Sequence, residues 1–126
     1  MNNHKVLLID DESIVREVGS EMLQALDISS ITAENGETGI RLYKENKDQI
    51  HLVMLDIEMP GITGDKIYDM LKQINPDLRI LIISGYAKNH LEVTYFKRKL
   101  DSSMFLSKPF QLGQLSQKLK PLLDVR

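Results

Sequence analysis

The feature that most constrains this chain is a set of apolar runs too short for helices and too unbroken for half-exposed strands. Val6-Leu7-Leu8-Ile9, Leu52-Val53-Met54-Leu55, Ile80-Leu81-Ile82-Ile83 and Met104-Phe105-Leu106 each run without a polar residue. Such runs suit strands covered on both faces, as in a parallel sheet. Between them the apolar residues recur at helical spacing. The pattern predicts strands over residues 5–9, 29–33, 52–55, 79–83 and 103–106, and helices over 13–26, 37–46, 64–74, 88–100 and 111–123. Gly19 weakens the first of these helices by about 1 kcal/mol relative to alanine. Asn35-Gly36 marks a turn, and Asn75-Pro76 stops the third helix. Strict alternation of strand and helix implies an α/β fold, an open parallel sheet with helices on both faces.

At 126 residues the chain is one domain, 1–126, large enough to bury a real core. Its net charge of -2 gives no basic excess for tracking phosphates, so direct nucleic acid binding is not expected. There is no cysteine, which excludes disulfides and thiolate chemistry. The first apolar run meets Asp10 and Asp11 at once, so it is no signal peptide. No run approaches membrane-spanning length, and a cytoplasmic location is expected. His4, His51 and His90 are scattered without metal-ligand spacing. Lys97-Arg98-Lys99 is expected to be a solvated helix face, and Tyr95 and Phe96 core or partly covered surface.

Polar residues close the strands. Asp10 and Asp11 follow the first, Asp56 the third, Ser84 the fourth, and Lys108 comes just after the fifth. In a parallel sheet these strand ends share one edge, where open α/β sheets bind ligands. Met59-Pro60-Gly61 turns the chain away directly after Asp56. Carboxylates gathered there repel one another and need a cation or a shared proton. Oxygen ligands of this kind suit magnesium. A lysine and a hydroxyl beside such a metal form a receptacle for a phosphoryl group, and an aspartate there can accept it as an acyl phosphate. Singly, each piece has a plain reading. Asp10 and Asp11 charge a helix start, Ser84-Gly85 is a turn, and Lys108-Pro109 is a surface lysine before a proline. Their joint placement at successive strand ends carries the functional reading.

These residues resemble the receiver domain of two-component response regulators. The resemblance lies in Asp10-Asp11-Glu12, Leu55-Asp56-Ile57-Glu58-Met59-Pro60-Gly61, Ser84-Gly85 and Phe105-Leu106-Ser107-Lys108-Pro109-Phe110, and it covers essentially the whole chain. It implies a flavodoxin-like, doubly wound sheet of five strands in the order 2-1-3-4-5 with five helices. It implies that Asp56 is the phosphoacceptor, loaded from a phosphohistidine of a sensor histidine kinase or a histidine phosphotransfer protein. Magnesium would be held by Asp11, Asp56 and the backbone carbonyl of Glu58, with Asp10 acting mainly through a metal-bound water. Ser84 and Lys108 would bind the phosphoryl oxygens, and Ser84 and Phe105 would form the switch, Phe105 as its buried aromatic. Glu58 and Tyr86 would tune the hydrolysis rate, and the Lys108-Pro109 bond would be cis. An output partner or attached domain would read the face of the fourth helix, fifth strand and fifth helix.

Three departures stand out. Residues 84–108 span slightly more chain than is usual in the family, and Asp101-Ser102-Ser103 replaces its small-residue turn before the fifth strand. Phe105 stands where tyrosine is common, so it lacks a hydroxyl. Catalysis is expected to be limited to self-phosphorylation and autodephosphorylation. Two rivals remain open. One is a phosphorylation-independent interaction module on the same fold. The other is an aspartate-nucleophile phosphatase, because Asp56-Ile57-Glu58 is loosely similar to the Asp-x-Asp of haloacid-dehalogenase-type enzymes. The receiver itself is expected to be a stand-alone regulator, a phosphorelay intermediate, or part of a larger protein such as a hybrid kinase.

Overall fold

Three of the four apolar runs, residues 6–9, 52–55 and 80–83, form the inner strands of a parallel sheet. In the computed structural model, residues 4–85, 96, 100 and 102–123 are described. The strands are β1 (Lys5–Ile9), β2 (Ser29–Ala33), β3 (Leu52–Asp56), β4 (Arg79–Ser84) and β5 (Phe105–Ser107), ordered β2-β1-β3-β4-β5. The helices among the described residues are α1 (Ser13–Ala25), α2 (Gly36–Asn46), α3 (Gly64–Ile74) and a C-terminal helix (Leu112–Leu123). The helix expected over 88–100 falls outside the described residues except at Phe96 and Leu100.

Successive residues of each inner strand face opposite sides, so two cores form. Leu7, Ile9, Val53, Leu55, Ile80 and Ile82 join residues of α2 and α3, with Phe96 edge-on to Tyr68 at 5.4 Å. Val6, Leu8, Leu52, Met54, Leu81 and Ile83 join Leu23 of α1 and Leu115, Leu119 and Leu123 of the C-terminal helix. Burial on both faces is why these strands carry no polar alternation.

The structure moves some boundaries. The first helix ends at Ala25, one residue before its expected end, because Leu26 is its cap. Beyond it Asp27 takes φ 67°, and the Asp27 and Ile28 N–H groups donate to Gln24 and Leu23 carbonyls. That is a left-handed closure with an aspartate in the position glycine favours. The fifth strand is also corrected. Ser103 and Met104 lie in a 3-10 turn (Ser102–Met104), and the strand begins at Phe105. Lys118 Nζ donates to the Ser102 carbonyl at 2.7 Å, which ties the turn to the C-terminal helix. The strand extends through Ser107 because β4 pairs it to Ser84, and Lys108 N–H then donates to the Ser84 carbonyl at 2.8 Å.

Candidate functional site

β1 and β3 lie side by side, with Ile9 paired to Leu55. Each delivers an aspartate at its carboxyl end, and both carboxylates are set by their own backbone. Asp10 Oδ1 accepts the Glu12 N–H at 2.9 Å, and Asp56 Oδ1 accepts the Glu58 N–H at 2.9 Å. These closures over the second residue onward are turns that aspartate favours. They leave Oδ2 of each residue to face the site. Both side chains are buried, whereas Asp11 is exposed.

Lys108 reaches across from the end of β5, its side chain 15% exposed. Its Nζ lies 3.1 Å from Asp56 Oδ2, 3.0 Å from Asp10 Oδ2 and 3.2 Å from Glu12 Oε1. The Lys108-Pro109 bond is cis, as the resemblance implies. Burial works against the ammonium's charge, but the bonds and charges of Asp10 and Asp56 outweigh it and hold its pKa above the ordinary value. Asp56 is pushed up from 3.8 to about 6. Burial is the main cause and the Asp10 charge adds to it, against the Glu58 N–H and Lys108. Among the described residues one ammonium, Lys108, is ion-paired to three close carboxylates, which leaves the group short of positive charge. Among the described residues Asp10 Oδ2 has no partner beyond its ion pair with Lys108.

Asp10, Asp11 and Asp56 each offer an oxygen within 4.8 Å of the others. Hard oxygen donors, excess negative charge and an ill-satisfied Asp10 oxygen fit a divalent cation such as magnesium. Ser84 ends β4 beside Asp56, since Asp56 pairs with Ile83. Its hydroxyl donates to the Gly85 carbonyl at 3.3 Å. Phe105 is half-buried rather than fully buried, because β5 is a three-residue edge strand. Tyr86 lies outside the described residues, as does most of the fourth helix of the expected partner face.

The sequence reading missed two features. Glu12 had no assigned role, yet it shares Lys108 across 96 positions of sequence. Such a contact leaves no local signal. The second is the exposed stripe of α1. The helix α1 buries Gly19 and Leu23 and leaves Ile14 62% and Val18 39% exposed. With Pro109 and Phe110 they line an apolar groove of about 390 Å³ that reaches Lys108.

The fold and this edge define a response regulator receiver domain. Residues 6–120 match the family model for that domain, and the chain belongs to this family. It is 31% identical to the sensor kinase CckA of Brucella abortus over 94% of its own length, which is 12% of that protein. It is 25% identical to sporulation initiation phosphotransferase F of Bacillus subtilis, covering 100% of this chain and 98% of that one. Among solved structures it resembles a receiver domain protein of Clostridium thermocellum (TM-score 0.85, 27% identity, 96% and 94% covered). It also resembles the response regulator TrrA of Thermotoga maritima in complex with magnesium and beryllofluoride (TM-score 0.81, 32% identity, 95% and 99% covered). Among the described residues no helix is long and apolar enough to cross a membrane.

Proposed function

We propose that Asp56 accepts a phosphoryl group from a phosphohistidine of a histidine kinase or phosphotransfer protein. The observation that carries this is Asp56 itself, buried at the carboxyl end of the central strand, with Lys108 Nζ at 3.1 Å and two further aspartates beside it. At pKa about 6 the carboxylate is mostly ionised at neutral pH and can act as nucleophile. Its oxygen forms a bond to phosphorus as the bond from phosphorus to the imidazole nitrogen breaks, and that nitrogen keeps the electron pair. Lys108 offsets charge on the phosphoryl oxygens, and Ser84 turns its hydroxyl toward them. Asp10, Asp11, Asp56 and the Glu58 carbonyl would hold magnesium, which when bound offsets the same charge.

The donor docks on the apolar groove of α1, because exposed Ile14 and Val18, with half-buried Phe110, border Lys108 there. Loading shifts an equilibrium between two conformations that Ser84 and Phe105 report to an output partner or attached domain. Glu58 and Tyr86 set how fast water hydrolyses the acyl phosphate. The chemistry of the chain ends there: it phosphorylates and dephosphorylates itself and turns over no other substrate.

Incubation with acetyl phosphate, read by intact mass, tests the proposal. One phosphoryl group is expected to be gained with magnesium and none in EDTA or in Asp56→Asn. No gain in the wild type, together with no binding of magnesium, would remove the phosphoacceptor role and leave a phosphorylation-independent interaction module.

A further inference from the structure

The Glu58 side chain is not needed to hold the cation or the phosphoryl group, yet it is engaged. Its Oε1 accepts the Gly85 backbone N–H at 3.0 Å, joining the loop after β3 to the end of β4. The fit is close, since a Cβ on residue 85 would lie 2.9 Å from the same oxygen. Glu58 Oε2 is buried and has no hydrogen-bond partner among the described residues. A buried oxygen left in this way costs free energy, and that cost works against the contact. The backbone of the same residue donates to Asp56 Oδ1 at 2.9 Å. Glu58 therefore touches the acceptor carboxylate with its N–H and the end of β4 with its side chain.

We propose that the Glu58 carboxylate is a latch that holds the Ser84-Gly85 segment in its unphosphorylated position, and that loading of Asp56 releases it. This rests on the phosphoacceptor reading above. A phosphoryl group on Asp56 brings negative charge beside a carboxylate two residues away, and like charges repel. Release returns the Glu58 carboxylate to water and frees the Gly85 N–H at the edge where the anion sits. Ser84 directly precedes Gly85, so the latch restrains the hydroxyl expected to move. Linkage is reciprocal: if loading weakens the latch, removing the latch strengthens loading. Glu58 is thus a positioning residue whose side chain slows activation.

The experiment uses the full chain labelled with nitrogen-15, in two arms. In the first, without any phosphoryl mimic, amide exchange is read at Gly85. Glu58→Ala is expected to raise it about tenfold, and Glu58→Gln, which keeps an acceptor oxygen, to fall between Glu58→Ala and wild type. In the second, beryllofluoride is titrated at saturating magnesium. Glu58→Ala is expected to bind it about fivefold more tightly. Gly85→Ala should behave alike, because its Cβ displaces the flexible carboxylate while alanine suits the backbone there. Unchanged exchange at Gly85 in Glu58→Ala overturns the latch. So does beryllofluoride affinity within twofold of wild type in both variants. If the wild type gives no response to beryllofluoride and takes up no phosphoryl group from acetyl phosphate, the phosphoacceptor reading falls, and the latch with it.

Discussion

Asp56 is held in a place that disfavours its own charge, and the consequence can be measured. Its pKa is 3.8 unfolded and about 6 folded, because burial removes the solvent that would stabilise the carboxylate. Below about pH 4 both states are protonated and the residue is neutral in effect. Between 4 and 6 the folded state holds a proton that the unfolded state has lost, so stability falls as pH rises. Above about 6 the full burden is present, on the order of 2–3 kcal/mol. Metal-free Asp56→Asn is therefore expected to be more stable than wild type at pH 7.5 by that amount, with the gap closing toward pH 4. Urea unfolding in EDTA at several pH values checks both sign and window. Lys108 is among the groups that hold the Asp56 pKa down, through its charge and its hydrogen bond. Lys108→Ala should therefore move the Asp56 titration above pH 6, followed by the carboxyl carbon-13 shift in NMR.

At the scale of elements, the helices differ in how closely they meet the sheet. A Cβ at Gly39 of α2 would lie 2.5 Å from Cδ1 and 2.8 Å from Cγ1 of Ile9, which is fully buried. Among the described residues nothing lies within 4 Å of a Cβ at Gly113, in the first turn of the C-terminal helix. Glycine-to-alanine replacement favours a helix by about 1 kcal/mol at either position. At Gly39 that gain is expected to lose to overpacking, for a net destabilisation of about 1–2 kcal/mol. At Gly113 it is expected to survive as up to about 1 kcal/mol of added stability. Thermal unfolding of the two variants, compared with wild type, separates the cases by sign alone. The same closeness explains Gly19, which the sequence presents only as a weak point in a helix. A Cβ there would meet Leu8 Cδ2 at 2.7 Å, so the glycine lets α1 lie against β1.

For the whole molecule, the acidic edge couples cation binding to folding. The unfolded chain has no such cluster, so a cation that fits the site stabilises the fold by mass action. Magnesium at ten times its Kd is expected to add about 1.4 kcal/mol at pH 7.5. The increment should shrink toward pH 5, where Asp56 takes up a proton in competition with the metal. Melting curves with magnesium or EDTA at both pH values read this out, and an equal increment at the two would remove Asp56 from the metal site.

The order of events along the chain was legible because it is local. Unbroken apolar runs, helical periodicity and breakers such as Asn75-Pro76 act within a few residues, and the alternation they set admits few topologies. The strand-end positions of Asp10, Asp56, Ser84 and Lys108 follow from that alternation, so most of the candidate site was visible too. What local pattern could not reveal is what meets across the sheet edge. Lys108 meeting Glu12, Glu58 meeting Gly85, and Ile14 facing outward rather than inward all depend on distances between segments far apart in sequence. The start of β5 moved for the same reason, because its boundary is set by Lys118 and by pairing with β4. Sequence alone determined the alternation of strand and helix and the residue types at the strand ends, since propensity and burial are written residue by residue. Only tertiary structure decided the charge balance, the raised Asp56 pKa and the exposed face of α1, because these arise from burial and proximity among groups that the chain keeps apart.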